Sequence, residues 1–396
     1  MTTELFQEPT SEEQRAGLQE GKAQSTRWEK FIAAEGVPNY SAIGFHDVRE
    51  LDLGPWPRLG GNGAYLSLSG LDGMKSMFVL EIPGGGVLNP ERHVYHAFYL
   101  VLEGRGTTET WIREDHKQVV EWQPGSLFYL PPNVMHRLVN ATNERVLIIA
   151  STNAPPIMNM FQNDDFIFNN DFIFPEHYRE DADFYKYDEQ IYAIPTTKRA
   201  QARTNFYPDI INSELPLDNQ RTPGYRRVQP AWQGFQDEAI GTFIAQYPPG
   251  RYARAHYHNA QAVLVCLRGA GYTFNWPKDC GQTPWKDGHG DKVNRLDYIP
   301  GGLVSAAPGG GDWFHQHFAV SADPFRVFNM WGGPLPKNYR GYDSETGVAG
   351  NSNISLGGHS IGFATEDPYV RETFEERLAK VGLSSSMPEE LYTKDV

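Results

Sequence analysis

The sequence has few cysteines, no long apolar run and no dense stretch of basic residues. Only Cys266 and Cys280 occur among 396 residues, and their spacing matches neither a zinc-binding nor a redox pair, which excludes a disulfide scaffold. No run of about 18 apolar residues could span a membrane, and the polar segment 1–27 lacks the apolar core of a targeting signal. We therefore expect a cytoplasmic protein with no membrane partner.

The charge balance is acidic. Asp and Glu together number 49 and Lys and Arg 35, for a formal net charge of −14. Because no cluster of basic residues could neutralise a phosphate backbone, the sequence argues against nucleic acid as a partner.

The residues that are abundant indicate β structure. The chain is two or three times as long as an ordinary domain and contains 22 Phe, 20 Tyr and 9 Trp, enough aromatic area for a large buried interior. Its 39 Gly and 28 Pro separate short runs of Val, Leu, Tyr and Phe, which is typical of short strands joined by tight turns. We predict an all-β protein with helical N- and C-terminal extensions.

The distribution of these runs predicts two β domains. The boundaries we predict are a helical arm at 1–57, a first β domain at 58–155, an inter-domain linker and packing segment at 156–232, a second β domain at 233–335, and a tail with a helix at 336–396. Two helices are predicted, Glu12–Glu35 with Ser11 as its N-cap and Asp367–Val381. The tandem Asp165–Phe168 and Asp171–Phe174 is interpreted as an edge strand or a clamp between the domains.

The two β domains repeat the same spacing of characteristic residues. In each half a His precedes a Gly-x-Gly by eleven positions, and a Trp follows the first Gly seven positions later. A second His segment comes after a Pro-rich turn in each half, and a Gly- and Pro-rich loop at 277–290 accounts for the extra length of the second half. The matched residues are His93, Gly104 and Trp111 in the first half and His258, Gly269 and Trp276 in the second. The pattern indicates an internal duplication.

Histidines are clustered in the same segments. Seven of the twelve lie at 93–96, 136, 256–258 and 315–317. His256 and His258 are two positions apart, so on a strand their side chains project to the same side and could share one metal ion. A third histidine from a neighbouring strand would complete a face of three imidazoles, which suits divalent iron, nickel, copper or zinc.

These motifs resemble the cupin superfamily. Its first motif is a His-x-His flanked by Gly and Pro and followed by an acidic residue and Gly-x-Gly, and its second is a Pro-rich turn that ends in His. The second half shows Pro248-Pro249-Gly250, His256-Tyr257-His258, Gly269-Ala270-Gly271, Pro308-Gly309-Gly310 and His315. The first half shows Pro83-Gly84-Gly85-Gly86, His93, Gly104-Arg105-Gly106, Pro131-Pro132 and His136. The resemblance implies a bicupin, with two tandem jelly-roll β-barrels.

The usual acidic ligand of the first motif is absent. Ala97 and Ala262 stand where Glu usually occurs. In this respect the second half is similar to gentisate 1,2-dioxygenases and related ring-cleaving bicupins, which hold Fe(II) with three histidines. The resemblance implies iron at His256, His258 and His315, although in that family the iron lies in the N-terminal cupin. Mn, Ni and Zn are alternative ions.

The first half is more degenerate. Its His-x-His is replaced by Glu91-Arg92-His93, and His96 is a further candidate. Glu91, His93 and His136 could bind a metal, but we favour a structural cupin here.

Three more residues of the second half are candidates for catalysis. His315 and His317 compete for the third ligand position, because His317 lies nine residues before Arg326 as His136 lies nine before Arg145. We prefer His315, which leaves His317 to orient a ligand or transfer a proton. Gln261 is close enough in sequence to reach the substrate, and Arg254 could bind a carboxylate.

The function that the resemblance implies is an Fe(II)-dependent dioxygenase that cleaves a C–C bond. Its substrates would be O2 and a hydroxylated aromatic or enolisable dicarbonyl compound, and we expect a homo-oligomer. One alternative is a metal-dependent isomerase or decarboxylase, which would need a carboxylate or Lys as acid/base and would turn over without O2. Another is a non-catalytic ligand-binding or accessory bicupin, and a third is a storage-type structural bicupin. The fold does not choose among these.

Overall fold

A computed structural model describes residues 24–71, 73–195, 198–232, 240–258, 261–332 and 352–393. In these ranges most of the regular structure is short strands, and the helices are few and lie outside the sheets. The prediction of an all-β fold with two β-barrels and helical extensions is confirmed. No helix in the described ranges has the length and apolarity that a membrane crossing requires.

The first barrel is formed by two sheets. The larger one has the strand order β1-β4-β5-β11-β6-β9-β14, with β3 also paired to β4, and the smaller one has the order β10-β7-β8. Its strands up to residue 152 are β1 (Asn39–Ala42), β3 (Gly54–Trp56), β4 (Gly61–Leu68), β5 (Ser76–Ile82), β6 (Ala97–Glu103), β7 (Gly106–Trp111), β8 (Gln118–Trp122), β9 (Leu127–Leu130), β10 (Met135–Val139) and β11 (Val146–Thr152), and β2 (Gly44–Phe45) joins the other barrel.

The segment between the barrels contains two short helices and four strands. These elements are α2 (Ala154–Phe161), α3 (Asp164–Phe168), β12 (Ile191–Ala193), β13 (Ala200–Arg203), β14 (Phe206–Tyr207) and β15 (Arg226–Ala231), while α1 (Arg27–Glu35) precedes the first barrel. β14 pairs with β9 of the first barrel, and β15 pairs with the first strand of the second barrel.

The second barrel repeats the plan of the first. Its larger sheet has the order β12-β13-β15-β16-β22-β17-β20-β2 and its smaller one β19-β18-β21. The remaining strands are β16 (Ile240–Tyr247), β17 (Gln261–Arg268), β18 (Gly271–Pro277), β19 (Asn294–Tyr298), β20 (Leu303–Ser305), β21 (Trp313–Ala319) and β22 (Phe325–Gly332), and the final helix is α4 (Pro368–Ala379).

The two large sheets pack against each other through their outer faces. Side chains alternate along a strand, so on β5 Met77 and Val79 point out of the first barrel while Phe78 and Leu80 point into it. The outward side chains form one buried cluster with residues of the second barrel such as Val263. The barrels therefore share an apolar interface in addition to their separate interiors.

The Gly-x-Gly turns show the duplication most directly. Gly104 joins β6 to β7 and Gly269 joins β17 to β18, with φ of 80° and 74°. A Cβ at Gly104 would lie 2.5 Å from the carbonyl oxygen of Arg145, and one at Gly269 2.5 Å from that of Pro324. Positive φ and this close approach of backbone require glycine at both turns.

The N-terminal helix is shorter than the predicted Glu12–Glu35. It begins at Arg27, because Thr26 accepts a hydrogen bond from the backbone N–H of Glu29 and the Glu29 side chain accepts one from the N–H of Thr26. Residues 24–26 are not helical, so a continuous helix from Glu12 is wrong, and Ser11 lies outside the described residues. The helix packs by its apolar side on the first barrel, against α2 and α3.

The Asp-Phe-Ile-Phe tandem does not form an edge strand. Its first copy is the short helix α3, where Asn163 acts as N-cap and Ile167 is buried. Phe168 stacks on Phe31 of α1 with a ring distance of 5.6 Å. Asn163 as N-cap favours a helix over a strand at this position. The apolar side chains of this helix face α1 and hold it against the first barrel.

The C-terminal segment packs against the second barrel. Helix α4 confirms the helix predicted for Asp367–Val381, with Asp367 as N-cap and Val370, Phe374 and Leu378 buried. These side chains join a cluster with Phe318 on the outer face of the smaller sheet. The predicted domain boundaries stay predictions, and several strands that pair with the barrels lie outside them.

Candidate metal centres

The second barrel brings three of the predicted histidines together. His315 is on β21, and His256 lies on a segment that pairs with it: the N–H of each residue donates to the carbonyl of the other, at 3.0 and 2.9 Å. His258 follows two positions later. One ring nitrogen from each of the three residues lies within 4.8 Å of the other two.

This arrangement fits a divalent metal ion. His256 is held by a 3.2 Å hydrogen bond between its Nδ1 and the carbonyl oxygen of Arg254, which leaves Nε2 for a ligand bond. His256 and His315 are buried and His258 is half-buried. The described residues place no carboxylate in this group, so the ligand set is three imidazoles, which suits Fe, Mn, Ni and Zn ions.

The electrostatic environment keeps His256 and His315 neutral. Burial lowers the pKa of His256 well below its ordinary value, and the positive charge of Arg221 lowers it further. Burial also lowers the pKa of His315, together with the neighbouring histidines. Neutral imidazole is the form that binds a metal ion, so the ligands need lose no proton at neutral pH.

His317 lies behind the group of three. It is on the same face of β21 as His315, with a ring distance of 5.5 Å, but its Nδ1 is 2.9 Å from the hydroxyl of Thr273. Burial, followed by the charge of Arg221, lowers its pKa to about 3. Its ring is 6.4 Å from that of His256. His317 therefore lies where it could orient a molecule bound beside His256 and His315.

Gln261 and Arg254 have different surroundings. Gln261 is the first residue of β17, and its Oε1 is buried without a hydrogen bond to any described residue. The guanidinium of Arg254 donates to the Oδ1 of Asn353 at 3.0 Å, and burial lowers the pKa of Arg254, as does Arg221. Arg254 is therefore held by the C-terminal segment at the edge of the strand that carries His256.

The first barrel contains a corresponding group of different composition. Glu91 pairs with His136 through two backbone hydrogen bonds of 3.0 and 2.9 Å, as His256 pairs with His315. Glu91, His93 and His136 each offer a ligand atom within 4.8 Å of the others. The backbone pairing therefore matches Glu91 to His256 and His136 to His315, and not to His317.

The guanidinium of Arg58 contacts the group formed by Glu91, His93 and His136. The guanidinium of Arg58 donates to Glu91 and also to Glu35 of α1, with Nε–O distances of 3.0 and 2.9 Å to Glu35. Although burial acts against it, Arg58 lowers the pKa of Glu91 to about 2. His93 is buried, which lowers its pKa to about 3. The carboxylate is thus charged and already paired.

His96 does not belong to this group. Its Nδ1 is 2.9 Å from the hydroxyl of Tyr129, and its ring is 5.0 Å from that of His177. It therefore faces the packing side of the sheet and not the barrel interior that holds His93.

Comparisons with known proteins agree with this fold. Residues 78–152 match the family model of the cupin domain. This range covers β5 to β11 of the first barrel, and the second barrel repeats the same arrangement, so the chain has a bicupin fold. No curated protein matches the sequence.

Several solved structures match a large part of the chain at low identity. A mutant of oxalate decarboxylase from Bacillus subtilis has a TM-score of 0.47 at 10% identity, covering 75% of this chain and 78% of that one. The same enzyme at pH 4.6 has a TM-score of 0.46 at 11% identity, covering 74% and 77%. Vicilin from hazelnut, Corylus avellana, has a TM-score of 0.45 at 13% identity, covering 74% and 86%. Such similarity leaves the reaction open, and the resemblance to gentisate dioxygenases stays a prediction.

Sequence reasoning missed the residues that come from distant segments. Arg58 and Arg221 lie far along the chain from the histidines that they influence, and neither belongs to a motif. In the C-terminal segment, Asn353 binds Arg254 and the ring of His359 lies 4.6 Å from that of Tyr257. No spacing rule would reveal these contacts, because folding alone brings the segments together.

Proposed function

We propose that the second barrel binds one divalent metal ion through His256, His258 and His315 and is the catalytic centre of the protein. The observation that supports this is that ring nitrogens of these three histidines lie within 4.8 Å of one another, with no carboxylate of the described residues among them. We propose Fe(II) as the ion, with Mn, Ni and Zn as alternatives, and as the reaction an oxygen-dependent C–C cleavage of a hydroxylated aromatic or enolisable substrate.

The residues of this chain would have the following roles. When bound, Fe(II) supplies a Lewis acid and an electron donor beside the substrate. His317 is neutral at pH 7 and is held at Nδ1 by the Thr273 hydroxyl, so its Nε2 can accept a hydrogen bond from a substrate hydroxyl or enol and orient it. Gln261 would orient the substrate through its amide. The aromatic ring of Tyr247, 6.2 Å from that of His317, helps to exclude water.

A metal-dependent decarboxylase is the second candidate. Arg254 and Arg221 are positive side chains near the histidines, and a guanidinium is well suited to hold the carboxylate of a substrate that loses CO2. Against this reaction, no Asp, Glu or Lys of the described ranges joins the three-histidine group to act as acid or base.

The test is metal analysis combined with two assays. Protein purified without oxygen should contain about one iron per chain. It should consume O2 with a member of a panel of hydroxylated benzoates, catechols and β-dicarbonyls. Release of CO2 under anaerobic conditions would instead support the decarboxylase. A chain that binds no metal at His256, His258 and His315 would contradict both and favour a ligand-binding bicupin.

A further inference from the structure

The loop at 218–225 belongs to the predicted linker but is attached to the second barrel. The backbone N–H of Arg254 donates to the carbonyl oxygen of Arg221 at 3.2 Å. The guanidinium of Arg251 donates to the carbonyl oxygen of Pro223 at 2.6 Å. These bonds tie the loop to the segment that carries two of the candidate metal ligands, so the position of Arg221 relative to the site is fixed by backbone contacts.

The guanidinium of Arg221 is available to a ligand. It is half-buried and makes no hydrogen bond or ion pair with any residue in the described ranges. Its charge acts on His256, His315 and His317 at the same time and lowers the pKa of each. Its backbone carbonyl accepts the N–H of Arg254, two residues before His256, so Arg221 lies beside the segment that carries two of the candidate ligands.

Two further arginines of the same segment lie near Arg221. The guanidinium of Arg227 on β15 stacks over the ring of Phe243 at 4.2 Å. The parallel pairing of β13 with β15 brings Arg199, which directly precedes β13, alongside Arg227. Burial, followed by the charges of Arg227 and Arg221, lowers the pKa of Arg199 to about 9. The inter-domain segment thus directs a set of positive side chains toward the second barrel.

The chemistry of the site favours an anion beside the metal position. Three neutral imidazoles leave the charge of a divalent ion unbalanced, and guanidinium groups nearby add to it. A carboxylate or phosphate binds a guanidinium through two parallel hydrogen bonds, which gives both charge balance and orientation.

We propose that Arg221, with Arg254 beside it, forms an anion-binding subsite, so that the substrate carries an acidic group apart from the atoms that bind the metal ion. The identity of the bound molecule as a substrate rests on the proposed function. The subsite itself belongs to the chain and exists with or without the metal. The segment 199–227 therefore determines specificity in addition to connecting the barrels.

The test is equilibrium binding of malonate and of inorganic phosphate to the full-length chain after removal of metal with a chelator, measured by isothermal titration calorimetry. We expect the native chain to bind at least one probe, and the preferred probe distinguishes a carboxylate from a phosphate group. Arg221→Gln should weaken binding by at least about tenfold, since it removes a charge-assisted bidentate contact. Arg221→Lys should be intermediate, because it keeps the charge and loses the planar pair of donors.

Arg268→Gln is the matched control. Arg268 is exposed, bonds to Asp323 at 3.0 Å at the far end of β17, and its substitution removes the same charge, so affinity should not change. Arg254→Gln is the second variant should Arg221→Gln fail to fold by circular dichroism. Equal affinity of the native chain and the folded Arg221 or Arg254 variants, or no binding of either probe, would overturn the subsite. Anion binding that depends on Arg221 in a chain without affinity for metal would overturn the proposed function alone.

Discussion

The two barrels have equivalent backbone positions in their interiors, but the side chains at these positions differ. In the first barrel the group is Glu91, His93 and His136, and in the second it is His256, His258 and His315. The pairing of strands is the same, because the first residue of each group exchanges two backbone hydrogen bonds with the third. The difference therefore lies in side chains alone.

The first barrel balances its charge within the protein. Arg58 lies between Glu91 and Glu35, and α1 lies over the same end of the barrel with Trp28 and Phe31 packed against the apolar cluster that contains Tyr95. The second barrel instead has three imidazoles as candidate ligands and a half-buried arginine, Arg221, without a partner in the described ranges. We infer that one barrel has become structural and that the other retains a binding site for external ions.

The largest effect that this comparison predicts is on metal content. His258→Ala should reduce the bound metal from about one ion per chain to none, because two imidazoles do not hold the ion. His93→Ala in the first barrel should leave the metal content unchanged. Metal analysis of both variants, with circular dichroism to confirm folding, measures this. Equal losses in the two variants would show that the barrels do not differ as we describe.

Replacement of Arg58 tests whether this residue balances the charge of Glu91 in the first barrel. Arg58→Met leaves the Glu91 carboxylate buried without its cation, so we expect the unfolding free energy of that barrel to fall by about 3 kcal/mol. Urea unfolding followed by tryptophan fluorescence would show the lower midpoint. Added Zn²⁺ should raise the midpoint of the variant by more than that of the native chain, because Glu91, His93 and His136 would then be free to bind it in addition to the second barrel.

The control for this prediction is a double variant. Arg58→Met with Glu91→Gln removes both charges and should recover most of the lost stability. A native midpoint for the single variant would contradict the role of Arg58 as the internal cation.

A smaller effect is expected from His317. Because its ring nitrogen Nδ1 bonds to Thr273, His317→Ala should leave one metal ion per chain and weaken its binding by about tenfold. His315→Ala should abolish binding. Competition with a chromophoric chelator measures both affinities. The reverse order of the two effects would assign the third ligand to His317.

The last prediction concerns a difference in pH dependence between the two barrels. Burial raises the pKa of Glu366 to about 8, where Gln316 donates to its carboxylate at 3.0 Å and Tyr252 donates to the other oxygen. A carboxyl with a raised pKa contributes stability that is complete below its ordinary pKa of about 4.5 and is lost as the pH rises toward 8. Glu91, with its lowered pKa, contributes above 4.5 and loses its contribution as the pH falls toward 2.

Glu366→Gln isolates this contribution. The native thermal midpoint should decline between pH 5 and 8 relative to that of the variant, while the two should differ little in slope above pH 9. Differential scanning calorimetry across this range measures it. Parallel curves would show that Glu366 does not titrate in the folded chain over this interval.

The fold could be predicted largely because its signals are local. The Gly-x-Gly turns need glycine at Gly104 and Gly269 for reasons of backbone conformation, so the duplication leaves a fixed spacing in the sequence. His256 and His258 were paired by strand alternation alone. The helix predicted at Glu12–Glu35 is too long, because Thr26 and Glu29 form a capping box that begins the helix at Arg27.

The remaining parts of the sites depend on long-range contacts. Arg58 contacts Glu91 across 33 positions, and Arg254 contacts Asn353 across 99. The choice between His315 and His317 needed the backbone pairing with His256, since two sequence counts disagreed. A short loop such as 218–225 has no periodicity, so its place at the second barrel could not be derived from its residues.

The C-terminal segment has a consequence for the order of assembly. Ile361 donates its N–H to the carbonyl oxygen of Ala255 at 2.8 Å, and His256 also bridges to Ser360. During synthesis the first barrel can therefore close early, whereas the segment that bears His256 gains this neighbour only when residues 360 and 361 have emerged. We expect the second centre to mature after the first barrel has closed, and chains truncated before residue 360 to stay incompetent for metallation.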